Sequence, residues 1–499
     1  MAQCRHHPLV LLCSLCVFLP SILAQTPEFK LPLKAVNLGN WLVTEGWMLP
    51  SQFDGLNGQL LDGTQVQFMS THLRKFLCAE GDNIVADRDR AASWETFRLW
   101  RISNTKFNIR VFNKHFVGLK GPKIMVVAVS GTPSASETFD IIRNPDNPSR
   151  VRLRASNGLF LRVKSSKVVA ADNNNRTTWD DNDSSVFEMN TVGGLQGEYQ
   201  ITNGYGPSIA PQRLRDHWRT YITDREFQFM AANNLTAVRI PVGWWIAYDP
   251  TPPKPFVGGS LYALDQAFTW ATCYGLKVIV DLHAAPGSQN GESHSVSRDG
   301  FVEWGDSSIQ ETVKVIEFLA ERYGNRSALV AIELMNEPRA PDVQLEDLIK
   351  YYRLGYEAVR RYTQDAYVIL SNRLEPDNPQ ELLQFARDLS RVVIDVHYYS
   401  LYDPKFKQWN LQQNIGYIYV DREIDLSKIT QTNGPLIFVG EWTSTLAFDG
   451  STKEDSRRFA KAQQDVYGRA TFGWGYQSYR CQFDTWSLEQ MIEDGLIKI

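Results

Sequence analysis

The chain has 499 residues, 43% hydrophobic and 22% charged, with a formal net charge of -4 and a pI near 6.1. That is enough apolar material for more than one core, and the mild acidity argues against a partner held by bulk positive charge, nucleic acid above all. Its 14 Trp and 20 Tyr are generous, and such rings suit either a core or the C–H faces of a neutral polymer.

Residues 1–24 read as a secretory leader: Arg5, His6 and His7 precede an apolar run over 9–19, and Ala24 offers a small residue for cleavage. The apolar run is too short to span a bilayer and no later stretch reaches about 18 uninterrupted apolar residues, so no membrane anchor is expected. Sequons at Asn175, Asn182, Asn234 and Asn325 fit a secreted, extracellular protein of the wall or apoplast. Removing the leader takes Cys4, Cys13 and Cys16 with it and leaves Cys78, Cys273 and Cys481, too few for a disulfide scaffold. Cys273 and Cys481 either bridge or stay as buried thiols. Histidines and cysteines show no zinc spacing, so no metal and no cofactor is expected.

The mature chain opens with a candidate strand over 33–43. From Leu214 onward, helical patterns alternate with short β-branched runs over 236–242, 277–283, 329–335, 367–372, 391–397, 435–440 and 472–479. Together these predict an α/β fold, a (β/α)8 TIM barrel, with residues 25–62 holding its first strand and 193–499 the remainder. Residues 63–192 interrupt it. There Phe76-Leu77, Phe116-Val117 and Phe160-Leu161 each precede a hydrophobic stretch (84–86, 125–128 and 168–170) and then an aromatic, Phe97, Phe139 or Phe187. Three such copies of short strands predict an inserted all-β trefoil, because one copy cannot bury its apolar face alone. The repeat pattern resembles a fascin-like domain, whose role here would be sugar binding or packing.

Chemistry concentrates where predicted barrel strands end, the face on which barrel enzymes place their reacting groups. Ile332-Glu333-Leu334-Met335-Asn336-Glu337-Pro338 follows strand 4, Val396-His397-Tyr398-Tyr399 follows strand 6, and Phe438-Val439-Gly440-Glu441-Trp442 follows strand 7. A carboxylate at the end of an apolar strand must be solvated or paired. A salt bridge to Arg239 would satisfy either glutamate singly; two facing one mouth point to glycoside hydrolysis, in which one carboxyl protonates the leaving oxygen and the other attacks the anomeric carbon.

With Val36-Asn37-Leu38-Gly39-Asn40-Trp41, Val238-Arg239-Ile240-Pro241-Val242 and the run from Asp281 to Gly291, these segments make the chain resemble glycoside hydrolase family 5, in the exo-β-1,3-glucanase-like branch and its plant-type members with a fascin-like insertion. The resemblance implies Glu337 as acid/base and Glu441 as nucleophile, with Asn336 holding a sugar 2-hydroxyl and Arg239 keeping Glu441 ionised. It implies Tyr399 as a partner of the nucleophile, His283 and His397 lining the subsite, and Glu45 binding outer hydroxyls of a terminal glucose. Glu337 would need a raised pKa to arrive protonated. Two departures stand out. Gln477 replaces an expected tryptophan, with Trp474 and Tyr479 as candidate substitutes, and Glu292-Ser293-His294 replaces an aromatic followed by Asp-Asn. The expected activity is retaining hydrolysis of β-glucosides or β-1,3-glucan oligosaccharides. A transglucosidase, an endo-acting mannanase or cellulase, and a polysaccharide-binding protein are the alternatives.

Overall fold

The computed structural model describes residues 29–120, 124–174, 178–376 and 378–499. The expected leader and the sequon at Asn175 lie outside them. Eight parallel strands close a barrel: β1 (Leu33–Asn37), β2 (Ala237–Gly243), β3 (Lys277–Ala284), β4 (Leu329–Glu333), β5 (Tyr367–Ser371), β6 (Val392–His397), β7 (Leu436–Trp442) and β8 (Gly473–Tyr476). β8 returns to pair with β1, Ala35 facing Gly475. The strands are mostly apolar, β2 buried at every residue including Arg239, because helices outside and side chains inside cover both faces. The helices show the matching stripe. In Ile309–Tyr323 the buried residues Ile309, Thr312, Val315, Ile316, Leu319, Ala320 and Tyr323 recur at helical spacing.

Three strands end at least two residues earlier than expected, among them β8, which stops at Tyr476 rather than at 479. The run over 33–43 is strand only to Asn37, because Asn40 takes a left-handed φ of 57° and the Trp41 indole turns to donate to the Trp218 carbonyl, 2.9 Å. β4 ends at Glu333, and the left-handed Glu337, φ 47°, sits in the loop beyond it. Cys78 is buried and Cys481 half-buried, both as free thiols; Cys273 is exposed, against the expectation of a buried thiol.

Between β1 and β2 the chain builds a separate antiparallel sheet of twelve strands. They fall into three successive sets, over residues 65–101, 106–143 and 150–193. The first and last strands of the sets pair into a closed ring, which runs from Gln65–Ser70 to Phe97–Arg101, Lys106–Arg110, Thr138–Arg143, Arg150–Arg154, Phe187–Gly193 and back. The middle strands of each set form hairpins. Val66, Phe68, Phe97, Phe107, Phe139, Val151 and Phe187 fill a core of its own, distinct from that of the barrel.

Candidate active site

The site is built around one buried cation. Arg239, on β2, is wholly inaccessible, and a buried charge must be paired on several sides. Its Nε and Nη2 donate to Glu333 at 2.6 and 2.9 Å, its Nη1 to Glu441 at 3.0 Å and Asn37 at 3.3 Å, and its Nη2 to Asn336 at 2.7 Å. Asp281 Oδ2 lies 3.3 Å away. The glutamate clasped by both arms of the guanidinium is therefore Glu333, which leaves one Glu441 oxygen for other work. Burial, opposed by Arg239, raises the Glu333 carboxyl well above its usual value and takes Asp281 up to about 7.

Glu441 reaches the site through a bulge. Val396 of β6 faces Val439 of β7, but the next pair is His397 with Glu441, so Gly440 is an extra residue, and a bulge re-aims the strand end beyond it. The Tyr399 hydroxyl donates to Glu441 Oε2 at 2.6 Å. With Arg239 on its other oxygen, this carboxylate is oriented by two donors and remains partly open.

Glu337 faces it from the loop after β4. His397 Nδ1 lies 2.6 Å from Glu337 Oε1 and 3.6 Å from Glu441 Oε2, while His294 Nε2 lies 3.2 Å from Glu337 Oε2. Carboxylate oxygens of Glu337 and Glu441 come within 4.8 Å of one another, near enough for both to act on one glycosidic bond. The expected rise in the Glu337 pKa is not what the surroundings produce. Burial pushes it up, but the His397 charge and the hydrogen bonds from His294 and His397 win and hold the carboxyl well below its usual range. His294 is taken the other way, to about 9: burial disfavours its charge, and the hydrogen bond and charge of Glu337, with Glu45 and Glu441, overcome that. The proton is thus held by the imidazole–carboxylate set rather than by Glu337 alone.

The remaining expected residues also gather here. His283 Nδ1 lies 2.6 Å from Asp281, and burial first, then the charge of His294, drives His283 down to about 3, so it is neutral. Asn336 has its Nδ2 buried without a protein partner, a donor available to a ligand oxygen. Glu45 is held by the Trp47 indole, 3.1 Å, and by its own amide's bond to Asn40, 2.7 Å. A Cβ on Gly39 would stand 3.2 Å from both Glu45 Oε1 and Gln477 Nε2, so the bare glycine lets the two converge. The Gln477 Oε1 is likewise buried without a partner.

Trp474 and Tyr479 do not substitute for the missing tryptophan. Trp474 packs edge-on against Trp442 at 5.4 Å, and Tyr479 is buried with its hydroxyl on Glu489. The rings beside Tyr399 are Trp486, 5.7 Å from Tyr399 and 4.9 Å from Trp47, and Tyr402, 5.7 Å from Tyr399. Trp486 ends a short 3-10 helix, Asp484–Trp486, that no strand pattern marks. Gln289 and Asn290, in the run from Asp281 to Gly291, brace the site's backbone: Gln289 Nε2 donates to the His283 and Asn336 carbonyls at 2.7 and 2.8 Å, and Asn290 to that of Glu337 at 3.1 Å. His294 lay in the departure after Gly291 and had no motif to identify it.

Among the described residues, two acid–imidazole groups, Glu333/Asp395/His397 and Glu337/His397/Glu441, are tight enough to surround a cation. Both share His397, whose charge is favoured against burial by Glu441, Asp395 and Glu337, so a metal there would displace a proton. The geometry suits proton transfer and nucleophilic attack directly.

Residues 199–479 match the family Cellulase (glycosyl hydrolase family 5), and residues 57–192 match a domain of unknown function (DUF7910). "Probable glucan 1,3-beta-glucosidase A" of Aspergillus terreus is 31% identical over 345 residues, 61% of this chain and 81% of that protein. "Glucan 1,3-beta-glucosidase" of Yarrowia lipolytica is 29% identical, over 60% of this chain and 80% of its own length. Among solved structures, the rutinosidase from Aspergillus niger shares the fold with a TM-score of 0.53 at 20% identity, covering 61% of this chain and 90% of that one. With the family match spanning more than half its length, the chain belongs to glycosyl hydrolase family 5 and is a retaining β-glycosidase.

Proposed function

We propose that the enzyme hydrolyses β-glucosides and short β-1,3-glucans from the non-reducing end, with Glu441 as nucleophile and Glu337 as acid/base. The observation that carries the assignment is the contrast between the facing carboxylates: Glu441 takes donors from Arg239 and Tyr399, and Glu337 takes imidazoles on both oxygens. In the first step Glu441 attacks C1, the glycosidic C–O bond breaks, and the leaving oxygen takes through Glu337 a proton supplied by the charged imidazoles of His294 and His397 that hold its carboxylate. In the second, Glu337 accepts a proton from water as the water oxygen attacks C1 and frees Glu441. Asn336, with its unpartnered Nδ2, binds the 2-hydroxyl; His283 and His397 line the subsite, and Glu45 binds hydroxyls at its far side. The glucan preference comes from the names of the fungal relatives. The test is glucose release from laminari-oligosaccharides and aryl β-glucosides by wild type, Glu337→Gln and Glu441→Gln. Each variant is expected to lose at least about a hundredfold on the oligosaccharides, and full activity in either overturns the roles.

The insertion is assigned as a fascin-like β-trefoil over residues 63–192; its closed ring with three hairpins supports that reading. Secretion to the wall or apoplast is part of the same proposal, supported by the leader-like first 24 residues and by the exposure of Asn182, Asn234 and Asn325.

A further inference from the structure

Besides a contact between Arg101 and Asn203 of the helix that follows the insertion, the inserted sheet holds the loop of residues 285–305 between β3 and the helix Ile309–Tyr323. The Arg110 guanidinium, 5% exposed, donates to Asp299 at 2.9 Å and to Glu303 at 2.6 Å. The Trp100 indole donates to the same Asp299 oxygen at 2.6 Å, and Lys114 to the Val302 carbonyl at 2.8 Å. Arg98 lies over the Phe301 ring, 3.7 Å from its centre. In the other direction Arg298 of the loop lies over Trp100 at 3.9 Å. A buried pair such as Arg110–Asp299 is weak evidence of net stability, but removing one member leaves the other charge uncompensated, so the contact fixes geometry.

The other end of this loop enters the active site. Ser288 and Ser295 hydroxyls meet at 2.5 Å and Asn290 Nδ2 lies 2.9 Å from His294 Nε2, so the stretch folds back on itself. That places His294 3.2 Å from Glu337, on the oxygen that His397 does not hold. A loop without strand or helix orders only against what it touches, since each fixed residue costs about 1–2 kcal/mol of backbone entropy.

We propose that the inserted domain is a positioning element for proton transfer: by holding residues 298–303 it fixes the loop that sets His294 against Glu337, and Arg110 acts through that loop. The inference rests on the reading of Glu337 as acid/base. Misplacing a catalytic partner by about 1 Å can cost on the order of a hundredfold, and the loss must fall on the step that needs a proton.

The test is kcat/KM of the full chain on 2,4-dinitrophenyl β-glucoside, whose leaving group departs without protonation, and on phenyl β-glucoside, whose leaving group needs it. Arg110→Ala and His294→Ala are each expected to lose about tenfold or more on the phenyl substrate and no more than about twofold on the dinitrophenyl one. Asp299→Asn, which removes the charge while keeping the packing, carries the same expectation if Arg110→Ala does not fold. Arg110→Lys should recover part of the loss. The double variant Arg110→Ala/His294→Ala should be no worse than His294→Ala, because both changes remove one effect. Arg162→Ala, in an ion pair with Asp172 elsewhere in the insertion, should match wild type on both. Equal losses on the two substrates, or losses that multiply in the double variant, overturn the proposal. Glu337→Gln separates the two claims: if it shows no excess loss on the phenyl substrate, the acid/base reading fails. If it does while Arg110→Ala, Asp299→Asn and His294→Ala follow wild type, the positioning role alone fails.

Discussion

Glu198 illustrates how far a single residue departs from its ordinary chemistry when the surroundings are fixed. One of its oxygens accepts from the Thr44 amide and hydroxyl, the other is buried without a partner, and burial raises its pKa from 4.5 to about 7 against those bonds. The folded state therefore keeps a proton that the unfolded state releases above its ordinary value. Stability contributed by this group falls as pH climbs from about 4.5 to about 7 and then levels, by about 3 kcal/mol. Glu198→Gln, neutral throughout, is expected to raise the melting temperature at about pH 8 and to leave it nearly unchanged at about pH 4; a gain of equal size at both would show that the carboxyl's ionisation is not the cause. The same logic applies to the facing carboxylates Glu337 and Glu441. Arg239 and Tyr399 engage one carboxylate and imidazoles the other, and this difference, not the residue type, separates the roles proposed for them.

At the level of elements, the barrel supplies direction. Glu441, His397 and His283 project from strand ends and Arg239 from inside β2, and their spacing follows from the register between neighbours. The bulge at Gly440 is the most demanding of these devices. A methyl there would overlap the Asp395 carboxylate, which accepts the Gly440 amide at 2.8 Å, and the Gly440 carbonyl takes a bond from Asn37 at 2.9 Å. Gly440→Ala is expected to cost about 1–3 kcal/mol by overpacking and to lower kcat by displacing Glu441. Denaturant unfolding and aryl glucoside kinetics on the same variant check both halves; a stable variant with wild-type kcat would mean that β7 can shift without moving its glutamate.

For the whole molecule, the separation into two hydrophobic clusters has a thermodynamic consequence. The inserted sheet buries Phe68, Phe97, Phe107 and Phe139 among its own strands, and the barrel encloses its own set, while the contacts between them at Arg110, Asp299 and Arg298 are charged and aromatic. Two cores joined by a polar contact need not unfold together. Scanning calorimetry is expected to resolve two transitions, with Arg110→Ala moving them further apart; one transition unaffected by that change would mean that the cores melt as a unit.

The alternation of apolar strand and helical stripe was legible from the chain alone, since a parallel barrel buries its strands on both faces and leaves runs such as Lys277–Ala284 unmistakable. The break in that pattern marked the insertion, and a carboxylate after an apolar strand marked Glu337 and Glu441, because charge there needs a reason. The sequence carried no sign of the protonation state of Glu337, of Glu333 as the glutamate clasped by Arg239, or of Trp486, His294 and the Arg110 contact. Those depend on which loops approach each other across residues far apart in the chain: pKa values follow from neighbours and burial, and neither exists until the barrel closes. The residues and their order therefore determined the fold class and the reaction; the tertiary structure decided where the proton rests and what holds it there.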